Sequence, residues 1–143
     1  MTAAEIARIL GLAPHPEGGW YRETWRAAAA GDGARPVGSC IYYLLAAGER
    51  SHWHRVDATE IWHFHAGSAL RLRLADTARG PARAALLGAD LAAGQVPQIV
   101  VPADAWQSAE PLGDWTLVGC TVCPGFVFDV FELAPPGFDI PPA

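Results

Sequence analysis

An all-β sandwich or barrel is what this 143-residue sequence predicts. Three observations carry that expectation. About ten short segments have strand composition, at close and fairly regular spacing. Turn signals rich in glycine, proline and aspartate separate them. Only one stretch, at the N-terminus, has helical periodicity.

Thr2-Ala3-Ala4-Glu5 has the spacing of a capping box, and Ile6, Ile9 and Leu10 then share one helical face. Gly11 is placed to end that helix, which the sequence puts within residues 1–12. A turn, Pro14-His15-Pro16-Glu17-Gly18-Gly19, leads into an extended aromatic segment from Trp20 to Trp25. Gly38 to Ala46 contains Ile41, Tyr42, Tyr43, Leu44 and Leu45, a strand buried on both faces. His52 to Val56 and Glu60 to His65 come next. Ala69 to Ala75 sets Leu70, Leu72 and Leu74 against Arg71 and Arg73, the clearest period of two in the chain. Five further strands are expected at Ala82 to Leu87, Gln98 to Val101, Ala105 to Ala109, Trp115 to Val122 and Val127 to Leu133. Residues 134–143 form a proline-rich tail expected to pack loosely on the surface. With no linker and no repeat, residues 1–143 read as one domain.

Composition narrows the function classes. Hydrophobic residues are 51% of the chain and charged residues 17%, which describes a packed core and excludes disorder. The net charge is −5 and the ten basic residues are scattered singly, so nucleic acid is not an expected partner. No apolar run approaches the length of a membrane span and no secretory leader is visible, which points to the cytoplasm. Cys120 and Cys123 have C-x-x-C spacing in an apolar run without a second pair. With Cys40, they read as buried free thiols.

The chemistry concentrates at His52-Trp53-His54 and Glu60. In an extended strand the side chains at 52 and 54 share a face. Two imidazoles and a nearby carboxylate can hold iron, zinc, nickel or manganese. The motif runs Gly48, His52-Trp53-His54, Glu60, Gly67, followed later by Pro102-Ala103-Asp104-Ala105-Trp106-Gln107. In this it resembles the cupin superfamily.

The likeness sharpens toward single-domain cupins of unknown function. It rests on the phrases from Pro14 to Thr24 and from Glu60 to Gly67, on Val118 to Val122 with Pro124-Gly125-Phe126, and on Phe131-Glu132-Leu133. The resemblance implies a double-stranded β-helix (jelly roll) that dimerises with itself and carries a small-molecule pocket in the barrel mouth. It also implies a divalent metal on His52, His54, Glu60 and Gln107. Two departures stand against that metal set: five residues separate His54 from Glu60, and Gln107 stands where the motif has histidine.

Without metal, His54 or His52 is the expected base and Glu60 its acid or orienting partner, in proton abstraction or epimerisation beside a carbonyl. His15, Arg22, Tyr42, Trp62, Phe64, Trp106 and Gln107 are the expected pocket lining. Arg22 would meet a carboxylate or phosphate, and the aromatics a planar or sugar-like ligand. His63 and His65 fall on the opposite face from Glu60 and are expected at a sheet or subunit contact. A metal-dependent dioxygenase or isomerase and a non-catalytic binding module remain as alternatives.

Overall fold

The computed structural model describes residues 1–143. Helix α1 (Ala3–Leu10) begins with the expected capping box: Thr2 Oγ1 accepts the Glu5 amide at 3.2 Å, and Glu5 Oε2 accepts the Thr2 amide at 2.7 Å. Gly11 closes the helix in the left-handed conformation.

Eleven strands follow: β1 (Ala13–Pro14), β2 (Trp20–Arg26), β3 (Ser39–Ala46), β4 (Ser51–Arg55), β5 (Thr59–Gly67), β6 (Leu70–Ala75), β7 (Arg83–Leu87), β8 (Gln98–Val101), β9 (Trp106–Pro111), β10 (Trp115–Cys123) and β11 (Glu132–Leu133). They form a six-stranded sheet ordered β1-β2-β3-β10-β5-β8 and a five-stranded sheet ordered β11-β4-β9-β6-β7. The strands of both sheets pair antiparallel throughout. This is the jelly roll the sequence predicts.

One expected strand does not form. From Val127 to Leu133 the chain makes a 3-10 turn at Phe128–Val130, and only Glu132–Leu133 joins a sheet. The turn satisfies its own backbone, Val130 N–H donating to Val127 O and Phe131 N–H to Phe128 O. Its phenyl rings thus turn toward an interior cavity instead of a neighbouring strand.

The alternation in β6 works as read: Leu70, Leu72 and Leu74 are buried between the sheets with Tyr43, Leu45, Trp62 and Val118. That core fills one half of the barrel. At the other end, where β3 and β5 begin and β4 and β10 finish, Ile41, His54, Glu60 and Val122 surround open space.

A second cluster covers the outer face of the five-stranded sheet, and here the tail differs from expectation. Ala134, Phe138 and Ile140 pack on Trp53 and Trp106, with Ile140 fully buried. Trp53 Nε1 donates to Asp139 at 2.8 Å. Two exposed indoles would cost more than the order of the tail, so the tail seals this surface. Trp106 therefore belongs to this cluster and not to the cavity lining. Ile140→Ala should lower stability by about 2–4 kcal/mol in urea unfolding, since it empties a fully enclosed site. A loss below 0.5 kcal/mol would show that the tail is dispensable.

Candidate functional site

A cavity of about 620 Å³ opens between the sheets, within the usual range for small-ligand sites. Of the expected residues, His15, Arg22, His54 and Glu60 line it, together with Glu17, which the sequence reading passed over.

Glu17 arrives through the Pro-His-Pro-Glu-Gly-Gly turn. His15 N–H donates to Gly19 O and Gly18 N–H to His15 O, closing the turn. His52 N–H donates to Glu17 O at 2.7 Å, and Tyr43 Oη donates to Gly18 O, fastening it to β4 and β3. Only glycine fits at 18 and 19. Both have positive φ, and a Cβ on Gly18 would lie 2.0 Å from Arg50 O.

The Glu17 carboxyl is buried between two imidazoles. Oε1 lies 3.2 Å from His15 Nδ1, Oε2 lies 3.3 Å from His54 Nδ1, and the Ser51 hydroxyl donates to Oε2. His15 Nδ1 already accepts the Glu17 amide at 3.1 Å, so it carries no hydrogen when neutral. The proton in the Glu17–His15 contact is then the carboxylic acid's own. Burial agrees, pushing Glu17 up to about 8 and, with His54 nearby, His15 down to about 4. At neutral pH both members of the pair are uncharged.

His54 is fixed from the other side. Its Nδ1 lies 2.7 Å from the His52 carbonyl, which can only accept, so Nδ1 carries the hydrogen. Nε2 makes no hydrogen bond within the protein and keeps its lone pair. Burial holds the ring's pKa below its ordinary value, although Glu60 and the His52 carbonyl oppose this. Glu60 is raised, mainly by burial, and Glu17 adds to the shift. Its Oε1 accepts from Gln107 Nε2 at 2.8 Å, while Gln107 Oε1 accepts from Trp62 Nε1 at 2.8 Å. Cys120 lies beside Glu60, its thiol pushed well up by burial and the two carboxyls.

The expected metal set does not assemble. β4 opposes β9 with Ser51 on Ala109 and His54 on Gln107, so three steps on one strand match two on the other. This bulge breaks the period of two. Ser51 and His54 both serve the cavity side, Trp53 packs outside, and His52 Nε2 contacts Pro135 O at 2.9 Å. The two imidazoles of His52-Trp53-His54 therefore do not share a face. Both ends of the Gln107 amide are engaged, its oxygen by Trp62 and its nitrogen by Glu60. No group of three or more His, Cys, Asp or Glu side chains is placed to hold a metal ion.

The remaining expected residues lie elsewhere. Trp62 is in the core beneath the cavity, and Phe64 packs against that core. Tyr42 lies on the outer face, 6.1 Å from the His65 ring. Arg22, in register with Tyr42, holds its guanidinium 5.8 Å from that ring at the cavity's rim. His63 also faces outward, its ring nitrogens 3.1 Å from Thr121 Oγ1 and 3.1 Å from Gln98. Cys120 is buried, but Cys40 is half-buried and Cys123 exposed; all three are free thiols. No helix is long and apolar enough to cross a membrane.

The sequence reading also missed the cavity's aromatic wall. Phe126, Phe128 and Phe131 stack edge to face, with centroids 4.9 to 6.1 Å apart. The segment is pinned by Arg35 Nε to Gly125 O, Arg26 Nη2 to Phe126 O and the Phe126 amide to Ser39 Oγ.

The sequence model of the Cupin superfamily (DUF985) matches residues 4–134. The chain belongs to this family. This cupin is similar to a crystal structure of a Shewanella oneidensis protein, at 44% identity over 94% of this chain and 85% of that one, with a TM-score of 0.87. A hypothetical protein from Leishmania major is 31% identical over 94% and 88% of the two chains, with a TM-score of 0.83. Oxalate decarboxylase from Bacillus subtilis, at 13% identity over 84% of this chain and 29% of that one (TM-score 0.62), shares the fold alone. No curated protein matches this cupin by sequence.

Two outcomes follow from the geometry. Gly18→Ala should destabilise the fold by roughly 2 kcal/mol or more, read in urea, because the turn cannot yield toward Arg50 O. Glu17 binds its proton more tightly when folded, so its contribution favours folding at low pH. That contribution declines as pH rises from about 4.5 to about 8, where only the unfolded chain releases the proton. Melting temperatures of wild type and Glu17→Gln should therefore diverge in favour of the variant between pH 5 and 8. A constant difference would show that Glu17 is ionised in the fold.

Proposed function

We propose that this cupin binds a small molecule in the cavity and moves a proton beside a carbonyl group, as an isomerase or epimerase does. The supporting observation is His54: a neutral imidazole with Nδ1–H held by the His52 carbonyl and an unpaired Nε2 at a cavity lined by two protonatable carboxyls. A neutral base beside a carboxyl whose pKa burial raises is the kind of pair that proton transfer near neutral pH needs.

In this reading His54 Nε2 takes the proton from the carbon next to the carbonyl. The C–H electrons form a carbon–carbon double bond, and the carbonyl π pair moves onto oxygen, which takes a proton from Glu60. Gln107 fixes Oε1 of Glu60, leaving Oε2 to deliver it. Return of the His54 proton to another carbon, or to the other face once the intermediate has turned over in the cavity, with the enol proton going back to Glu60, gives an isomer or epimer with no net oxidation. Glu17 remains neutral, so no second buried charge adds to the Glu60 carboxylate that the transfer leaves beside the enol.

His54→Ala and Glu60→Gln should each lower kcat by about 10²-fold or more in a screen of epimerisable and isomerisable carbonyl compounds, with unchanged folding. The wild-type rate should fall as pH rises through about 8, where Glu17 ionises and repels the enolate. On the acid side it should hold to below the ordinary histidine range, because His54 resists protonation. Glu17→Gln should move the alkaline limb to lower pH without removing it, because Glu60 must carry the proton it delivers and loses the upward push of Glu17. Ligand binding without turnover, unaffected by either substitution, would leave a non-catalytic binding module.

A further inference from the structure

The cavity's walls and its unpaired charges bear on what enters it. Phe126, Phe128 and Phe131 form one wall, with Tyr21 and the His15 ring, 4.5 Å apart, beside them. Phe131 reaches to 5.4 Å from the His54 ring, so the aromatic surface runs down to the reactive nitrogen. Phe128 is 51% exposed at the opening, apolar area that a bound ring would cover.

The one cation of the lining without an ion pair, Arg22, sits at the rim and not in the interior. Only two arginines line the cavity. Arg26 is committed, with Nε and Nη2 donating to both Glu23 oxygens at 2.9 and 2.7 Å and Nη2 also to Phe126 O. Arg22 lies over Tyr42 at the rim, and Asp129 at the opening carries a negative charge with no ion pair. A phosphate or carboxylate drawn to His54 would lose water without gaining a counter-charge, at a cost of several kcal/mol. A sugar fares little better, because the polar groups of the floor are mostly bonded to one another: Glu17 to His15 and Ser51, Glu60 to Gln107, His54 Nδ1 to His52 O. Its several hydroxyls would outnumber the partners left.

Building on the proton-transfer reading, we infer that the substrate is a neutral, planar-ringed carbonyl compound, its ring against the Phe126–Phe128–Phe131 wall and its single polar end between His54 and Glu60. One oxygen and one acidic C–H are all that the free His54 Nε2 and the Glu60 carboxyl can serve.

The test uses the full chain and three probes titrated by NMR: 2-tetralone, the same frame bearing a carboxylate (1,2,3,4-tetrahydro-2-naphthoate), and methyl α-glucoside. 2-Tetralone should bind at least about tenfold more tightly than either, and Phe128→Ala should weaken it about fivefold. Phe128 is half exposed, so folding of that variant is not at stake. In deuterated buffer the wild type should exchange the protons next to the ketone and His54→Gln should not. Binding without exchange sinks the proton-transfer reading and leaves the ligand class standing. Equal or tighter binding of the carboxylate or glucoside, no saturable binding of the ketone, or indifference to Phe128→Ala overturns the ligand class, whatever the exchange shows.

Discussion

The burial of Glu17 between two imidazoles is the constraint on which the rest of the site depends. A carboxylate taken out of water without a cation is too costly to keep, so the fold holds the acid form, and both histidines stay neutral with it. Every element around the floor contributes to that state. The Gly18–Gly19 turn brings the backbone against Arg50, β4 supplies the Ser51 hydroxyl and the His52 amide, and β3 supplies the Tyr43 hydroxyl. A charged residue anywhere in this contact set would have to be matched by a second, and no arginine or lysine side chain is within the set.

The bulge in β4 makes one strand serve two surfaces. Without it Ser51 and Trp53 would share one face, and His52 and His54 the other. With it, Ser51 and His54 both serve the cavity, while Trp53 anchors the outer cluster and His52 meets the tail through Pro135 O. The tail and the cavity are therefore coupled through a four-residue span, although they lie on opposite sides of the sheet.

How much of this was legible in the sequence follows from which signals are local. Capping at Thr2 and Glu5, alternation at Leu70, Leu72 and Leu74, and the turn residues between strands act over a few positions, and the fold follows them. The bulge leaves no such mark, so His52 and His54 read as a pair. Gln107 was visible as a departure from the motif, but its two bonds depend on Glu60 and Trp62 from the other sheet. Glu17 was legible in principle: a carboxyl two residues from His15 in a turn closed by two glycines is a buried acid in waiting. The segment from Val127 to Leu133 has strand-forming residues, and only the cavity beside it explains why they turn inward.

Proton positions in the site are set by the backbone and one amide, which is what makes the floor preorganised. The Glu17 N–H makes His15 Nδ1 an acceptor, the His52 carbonyl makes His54 Nδ1 a donor, and the Gln107 amide claims Glu60 Oε1. Each of these partners has its own place fixed by the strands. Gln107 is the clearest case, since its other end holds the Trp62 indole in the apolar core. The half of the barrel packed for stability thus fixes the orientation of the acid in the other half. Trp62 N–H and the Glu60 carboxyl meet across a single side chain, Gln107.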